Sequence, residues 1–562
     1  MTQRPDPRDE LVFLPLGGCE EIGMNLNAYG YGPADNRRWI LADLGVTFGD
    51  ETMPGIDLIC ADPEFLVEEE IDAIFLTHAH EDHIGATGLL YRRLQTRAPM
   101  YATPFTAELV RAKLIEHGLD PAELLKTVEL GSRVEVGPFG VQYVTLTHSI
   151  PEPNALAIAT PLGTLLHTGD WKIDPSPQIG ATTDVEALSK LGDDGVLAMI
   201  CDSTNVFVDG EAGSEATVRD AITQVIAAQE GRVAVTTFAS NVARVKSVIE
   251  AAAECGRSVC LVGRSMHKVT DAAKSVGLLA DVADFVSEEE AGFLPPENIL
   301  YLCTGSQGES RAALSRIARG DHRNVSLSEG DTVIFSSRVI PGNEKGIFEL
   351  MNQLADAGIH LITDRMTDEP IHVSGHPCRD ELAKMYGWVR PHIAVPVHGE
   401  RRHTLEHAHY ALSLQVPLAV APRNGELVRL APGDPEIIDM VPSGRLLLDG
   451  NKLVPAASGA LTERKRLAEF GYLHISVAID EDGDVIDGPL VSARGLAEAD
   501  GRLADESLDL LDEAAEAALS RVKPRDMDDD DAVERAIGRG VKKAAEKVFG
   551  RRPLIDVTVL RS

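Results

Sequence analysis

The chain has 562 residues, 44% of them hydrophobic, with 88 acidic against 53 basic side chains and a formal net charge of −35. That length suits about three or four domains, and the apolar content is that of an ordinary globular protein. No run of about 18 apolar residues occurs, which excludes a membrane-spanning helix, and so acidic a chain cannot hold nucleic acid by bulk electrostatics alone.

The N-terminus, Met1-Thr2-Gln3-Arg4-Pro5-Asp6, has no apolar core of a signal peptide. Seven cysteines (19, 60, 201, 255, 260, 303 and 378) are scattered and form no C-x-x-C pair. Reduced thiols and a soluble, cytoplasmic protein with no membrane partner are expected.

Residues 1–212 alternate short apolar strands with helices and turns, the rhythm of a layered αββα core. Within them stands Thr77-His78-Ala79-His80-Glu81-Asp82-His83, just after the buried-strand run Ala73-Ile74-Phe75-Leu76. On an extended loop His78 and His80 face one side and reach one ion, while Asp82 and His83, one turn on, face a second. Mixed imidazole and carboxylate ligands suit zinc, with manganese or magnesium as alternatives. Two ions about 3.5–4 Å apart would activate water and stabilise both the attacking and leaving oxygens of a displacement, so the chemistry is hydrolysis.

Further ligands stand at later strand ends. His148 follows Val144-Thr145-Leu146-Thr147, Asp170 closes His167-Thr168-Gly169-Asp170, and His398 lies in Val395-Pro396-Val397-His398-Gly399-Glu400. Asp43, in Leu41-Ala42-Asp43-Leu44-Gly45, is placed to orient an imidazole rather than to bind metal.

From residue 213 helix and strand patterns alternate: helices at 218–229 and 242–253, strands at 233–237 and 258–262. Later come strands at 299–303, 332–335 and 360–362, and a helix at 345–357. That rhythm predicts a mostly parallel sheet. Loops such as Phe238-Ala239-Ser240-Asn241 and Thr304-Gly305-Ser306 then fall at its carboxyl edge, the usual ligand edge. The stretch 442–462, with its Gly, Pro and Ser, is expected as a linker. Beyond it Asp482-Gly483 between apolar strands signals a hairpin. Helices at 504–522 and 532–548 and a last strand at 554–560 complete a small α/β domain. Arg535, Arg539, Lys542, Lys543 and Lys547 on the second helix fit a solvated face better than an RNA-facing strip.

The His-x-His-x-Asp-His pattern resembles the metallo-β-lactamase superfamily. Asp170 and His398 stand 228 residues apart (398 − 170), room for an inserted domain. The insert carries Cys201-Asp202-Ser203-Thr204-Asn205, Thr304-Gly305-Ser306-Gln307-Gly308-Glu309 and Pro341-Gly342-Asn343-Glu344, followed by His372-Val373-Ser374-Gly375-His376. These are similar to the β-CASP nucleases. With Leu16-Gly17-Gly18, Glu21-Ile22-Gly23-Met24-Asn25 and Arg551-Arg552-Pro553-Leu554, the whole resembles the ribonuclease J family nearly end to end.

The resemblance implies a metallo-β-lactamase αββα sandwich in two parts (1–212 and 362–441), a β-CASP α/β domain at 213–361 and a C-terminal α/β domain at 463–562. The active site would lie in the cleft between the first two. His78, His80 and His148 would bind the first of two zinc ions per subunit, Asp82, His83 and His398 the second, and Asp170 would bridge. Asp202, His376 and His398 match the three β-CASP motifs, with His376 as general acid. His372, Ser374 and Gly375, with Ser337, would grip a terminal 5′-phosphate, and Phe48 would stack on a base. Pro377 stands where the family often has Ala, and Arg338-Val339 where Ser-Pro is common.

The function implied is metal-dependent RNA hydrolysis in RNA decay and maturation, 5′→3′ exonucleolytic with preference for 5′-monophosphate RNA, with endonuclease action beside it. The alternatives are a purely endonucleolytic RNA-processing enzyme and a small-molecule metallo-hydrolase. Expected partners are RNA, further copies as a homodimer or homotetramer, and proteins of an RNA-degradation complex. A locally basic channel must offset the acidic field, and Arg244, Lys246, Arg257, Arg264, Lys268, Arg338, Arg401 and Arg402 are the candidates for lining it.

Overall fold

The computed structural model describes residues 6–50, 52–340, 342–497 and 503–562. Residues 1–5 and Pro341, used above, lie outside them. The chain divides into two compact units, residues 1–47 with 59–446 and residues 48–58 with 447–562.

In the first unit two sheets face each other. The eight-stranded one runs Glu436–Met440, Glu426–Ala431, Glu10–Gly17, Leu26–Gly32, Arg38–Ala42, Glu70–Phe75, Met100–Ala102 and Leu125–Thr127. The seven-stranded one runs Leu418–Ala419, Ile393–Val397, Ala198–Asp202, Gly163–His167, Asn154–Thr160, Phe139–Thr145 and Arg133–Val136. Between them lies one apolar core, with Phe13, Tyr29, Ile40 and Phe75 from the first sheet against Tyr143, Ile158, Leu165, Ile200 and Val395 from the second. Alternate residues of the second sheet, Leu166, Met199 and Ala394, point outward and are covered by Leu188, Leu382, Met385 and Ala411 of three helices. The expected layered αββα sandwich is present, and it places the carboxyl ends of Glu70–Phe75, Gly163–His167, Ala198–Asp202 and Ile393–Val397 where candidate ligands follow.

The insert is a five-stranded, wholly parallel sheet in the order Ser258–Val262, Ile299–Cys303, Val233–Thr236, Thr332–Phe335 and His360–Ile362. Leu300 and Leu302 pack on one face with Val218, Ile222, Val245 and Val248, while Tyr301 and Cys303 pack on the other with Leu314, Leu350 and Leu354. Both faces are covered, as parallel sheets require. The helices begin at Glu215 and Glu344, slightly ahead of the expected starts, because Ser214 and Asn343 take the N-cap positions. A helix the sequence pattern did not reveal, Arg264–Ser275, follows Gly263; only Met266, Thr270, Ala272 and Ala273 of it are buried.

In the second unit the hairpin is found, with Tyr472–Ile479 antiparallel to Val485–Arg494, and Leu554–Arg561 lies parallel beside the former. Leu473, Ile475 and Val477 form a core with Leu511 and Ala515 of one helix and Val533, Ile537, Val541 and Ala545 of another. That four-residue spacing leaves Arg535, Arg539, Lys542, Lys543 and Lys547 exposed. The stretch 442–462 is not irregular chain, as expected of a linker. It holds strands Arg445–Asp449 and Lys452–Pro455 and opens the helix Gly459–Phe470, its apolar Leu446, Leu447 and Leu461 being buried.

The seven cysteines are free. No helix among the described residues is long and apolar enough to cross a membrane.

Candidate metal centre

Strand Glu70–Phe75 ends in the core, and the chain leaves it through Leu76 and Thr77 into the histidine loop. Asp43, just past Arg38–Ala42 and at φ 66°, faces this loop. Its carboxylate accepts from the Thr77 backbone N–H and hydroxyl, both at 2.8 Å, and from Nδ1 of His83 at 2.7 Å. Because the Thr77 hydroxyl gives its proton to Asp43, its oxygen accepts from Nδ1 of His78 at 3.0 Å. Both imidazoles are thereby turned with Nε2 inward, the orienting task expected of Asp43. Gly45 makes this possible: a Cβ there would stand 1.7 Å from the Asp82 carbonyl oxygen.

His148 is fixed from the other side, its Nδ1 donating to the Gly375 carbonyl at 2.5 Å. Gly375 must lack a side chain, since a Cβ would come within 2.9 Å of the His148 ring and 2.7 Å of the Ser149 hydroxyl. Three ring nitrogens then converge: Nδ1 of His80 is 3.1 Å from Nε2 of His78 and 3.0 Å from Nε2 of His148.

Asp170 is the centre of the site. Its Oδ2 lies 3.1 Å from Nε2 of His83, 3.5 Å from Nε2 of His398, 3.8 Å from Nε2 of His78 and 3.9 Å from Nε2 of His148. Asp82 Oδ2 is 3.6 Å from His83 Nε2 and 3.8 Å from His398 Nε2. Two donor sets result, His78–His80–His148–Asp170 and Asp82–His83–Asp170–His398, each with its donor atoms within 4.8 Å of one another.

The chemistry of these sets fits metal ions. Among the described residues the buried atoms Asp170 Oδ1 and His398 Nε2 have no hydrogen-bond partner, and buried polar atoms are seldom left so. Burial, first, and the neighbouring His83, second, hold His78 well below the ordinary histidine range, while burial takes His80 down to about 4. Neutral imidazoles in that state are ready ligands. For His83 burial is overcome by Asp170, Asp82 and Asp43, which raise it well above that range.

Beside the second set, Asp202 ends strand Ala198–Asp202. Its Oδ1 accepts from the Thr204 N–H and hydroxyl at 2.8 and 2.7 Å, and its Oδ2 from Nδ1 of His376 at 2.8 Å. The His376 ring stacks on that of His398, with centroids 5.6 Å apart and planes 20° apart. Burial alone would lower His376, but Asp202, Asp170 and Asp82 outweigh it and push it up to about 9. Asn205, which the motif reading left without a role, donates to the Ser374 hydroxyl at 2.8 Å and the His376 carbonyl at 3.0 Å, fastening this loop.

Of the residues expected to grip a terminal phosphate, Ser374 also accepts from the His376 N–H at 3.2 Å. Ser337 is buried at the carboxyl end of strand Thr332–Phe335. His372 is taken down to about 3 by burial first and by Arg244 next, and its buried Nδ1 has no partner among the described residues. Phe48 is 66% exposed and falls in the second unit.

The basic channel needs correction. Arg244 is fully buried, not channel-lining: its guanidinium pairs with both Glu215 oxygens at 2.9 Å and donates to the Ser336 carbonyl at 3.0 Å and hydroxyl at 2.7 Å. It ties the helix Val242–Glu254 to the loop after Thr332–Phe335, because Glu215 on the neighbouring helix neutralises it. Arg257 is buried too, donating to the carbonyls of Gly231, Pro296 and Ile299 at 2.8, 3.3 and 3.2 Å. Lys246 pairs with Asp281 at 3.2 Å, Lys268 with Glu116 at 3.3 Å and Arg402 with Glu400 at 2.7 Å, while Arg401 donates to the Ala421 carbonyl at 2.7 Å. Arg264 and Arg338 are exposed.

Family comparisons agree with this architecture. A beta-lactamase superfamily domain matches residues 38–189, the ribonuclease J beta-CASP domain 230–354, the Zn-dependent metallo-hydrolase RNA specificity domain 365–417 and the ribonuclease J C-terminal domain 459–562. The chain is 46% identical over 558 residues to "Ribonuclease J" of Sinorhizobium meliloti, covering 98% of each chain. It is 36% identical to "Ribonuclease J" of Corynebacterium glutamicum across 100% of this chain and 78% of that one. A crystal structure of a protein of unknown function from Enterococcus faecalis aligns with a TM-score of 0.52 at 15% identity, over 75% of this chain and all of that one, a likeness of fold alone. With its metallo-β-lactamase domain, inserted β-CASP domain and C-terminal domain, the chain belongs to the ribonuclease J family.

Proposed function

We propose that this protein hydrolyses RNA phosphodiester bonds from the 5′ end, using two zinc ions held by His78, His80 and His148, by Asp82, His83 and His398, and by Asp170 between them. The observation that carries the reading is the shared Asp170, whose Oδ2 lies within reach of both donor sets and 4.0 Å from Nδ1 of His376. Bound there, two divalent cations would supply Lewis acidity and activated water to an in-line displacement. The chain's own groups do the rest. Asp202 holds Nδ1 of His376, so the ring's free nitrogen can present a proton to the departing 3′ oxygen. Asn205 and Ser374 keep the loop that carries His376 in place. Purified protein on 5′- and 3′-labelled RNA tests this: mononucleotides released from the 5′ end over time support it. Efficient cutting of RNA with a blocked 5′ end, giving internal fragments, would favour an endonuclease instead.

His372, Ser374, Gly375 and Ser337 account in this reading for the choice of 5′ end. A buried imidazole nitrogen with no partner among the described residues, beside small hydroxyls, suits a monophosphate, and a bulky triphosphate should fit poorly. The rate on 5′-monophosphate RNA should therefore exceed that on 5′-triphosphate RNA. The double variant His372→Ala with Ser374→Ala should lose that preference; a variant keeping the native ratio would place the pocket elsewhere.

Self-association goes with the same reading. The second unit leaves Leu490 and Leu560 64% and 54% exposed on strands Val485–Arg494 and Leu554–Arg561. A chain ending near Gly450 should fall from dimer or tetramer to a smaller species in light scattering, and an unchanged oligomer would reject this role.

A further inference from the structure

In the first donor set Thr77 and Asp43 support His78, and the Gly375 carbonyl supports His148. In the second set Asp43 supports His83, but His398 comes from a strand far away in sequence and sits at φ 50°, a conformation few non-glycine residues adopt. What fixes its ring is Asn25. This residue is 2% exposed and lies in the turn between Glu10–Gly17 and Leu26–Gly32. Its backbone N–H and its side-chain Nδ2 both donate to the Asp82 carbonyl, at 2.9 and 3.0 Å, and its own carbonyl accepts from Gly45 at 2.8 Å.

The Asp82 carbonyl accepts only, so it fixes which end of the amide faces it. Oδ1 must then be the atom 3.0 Å from Nδ1 of His398. An amide oxygen carries no proton, so Nδ1 of His398 is the donor. That leaves Nε2 of His398 as a lone pair, buried, without a hydrogen-bond partner among the described residues, and 3.5 Å from the central Asp170 oxygen. One side chain thereby reaches three members of the second set: His398 through its ring, Asp82 through its backbone, and His83, whose Nε2 lies 3.1 Å from Nδ2 of Asn25. No hydrogen bond joins it to His78, His80 or His148 among the described residues.

We propose that Asn25 is a positioning residue for the second cation alone, holding His398 in the tautomer and orientation that present Nε2 to the ion. This rests on the two-cation reading above. Support of this kind is worth about 10–100-fold in metal affinity.

Metal-stripped full-length protein is titrated with Zn2+ in a calorimeter, as the native chain, Asn25→Ala, His398→Ala and the double variant. The native chain should bind two ions. Asn25→Ala should keep the first affinity and weaken the second by about 10–100-fold. The double variant should match His398→Ala at the second site, because Asn25 acts through that ring. Additive losses, equal loss at both sites, or unchanged binding would each overturn the proposal. A native chain that binds fewer than two ions overturns the two-cation reading and the proposal with it. Should Asn25→Ala not fold, 15N-histidine spectra of the metal-free native chain decide. His398 protonated on Nδ1 supports the assignment, and protonation on Nε2 alone rejects it.

Discussion

Asp170→Ala should lower RNA hydrolysis by at least about 10³-fold, since cation stabilisation of a displacement is worth several kcal/mol and each ~1.4 kcal/mol is tenfold. Both donor sets share this one carboxylate, and its removal strips an oxygen from each. The protein should still fold. Strand Gly163–His167 ends before residue 170, and the core it enters is built by Leu165 with Tyr143, Ile158 and Ile200. Burial raises the cost of the Asp170 charge, while His398 and His83 hold it ionised well below the usual carboxylate range. Taking the carboxylate away leaves imidazoles that can shed their protons, not a stranded charge. His80→Ala should be nearly as severe and should spare the second set, which has no contribution from His80. Turnover is measured on labelled RNA, circular dichroism reports the fold, and metal content is measured on the same samples. Normal turnover by folded Asp170→Ala, or full activity after exhaustive chelation, would end the two-metal mechanism.

The candidate ligands were legible because the chemistry announces itself. Four ligand-type side chains in the loop 78–83 and three more at strand ends have few other uses, and the structure gathers the other six around Asp170. Asp43 was legible for the same reason, a carboxylate at a strand end beside a histidine loop. Asn25 was not, because its role depends on which end of an amide faces a carbonyl contributed by residue 82 and a ring contributed by residue 398. No local pattern carries that. Arg244 misled because sequence shows its charge and not its partner: Val242, Val245, Val248 and Ile249 turn the helix inward, and Glu215 meets the guanidinium there. The helix Arg264–Ser275 escaped notice since its buried side is mostly small or polar, Met266 excepted. Strands of the insert were read nearly to the residue, as each is a short apolar run closed by a polar loop.

His376→Ala should cost about 10²–10⁴-fold, the usual worth of a positioned general acid, and its effect should depend on the leaving group. RNA with sulfur in place of the departing 3′ oxygen needs little protonation, so on that substrate the variant should approach the native rate. A merely structural histidine would slow both substrates alike. The pH profile gives the second arm of the test. Asp202, Asp170 and Asp82 raise His376 to about 9 against the opposing effect of burial. A raised pKa means that the proton is present at neutral pH and is lost as pH rises through that value. The native enzyme should therefore show an alkaline fall in kcat, at a pH below 9 because bound dications oppose the carboxylates. Asp202→Asn removes the strongest of the raising partners and the acceptor at 2.8 Å from Nδ1. In that variant the alkaline limb should move to lower pH, and in His376→Ala it should vanish. A limb that stays in place in both variants would assign the proton to another donor.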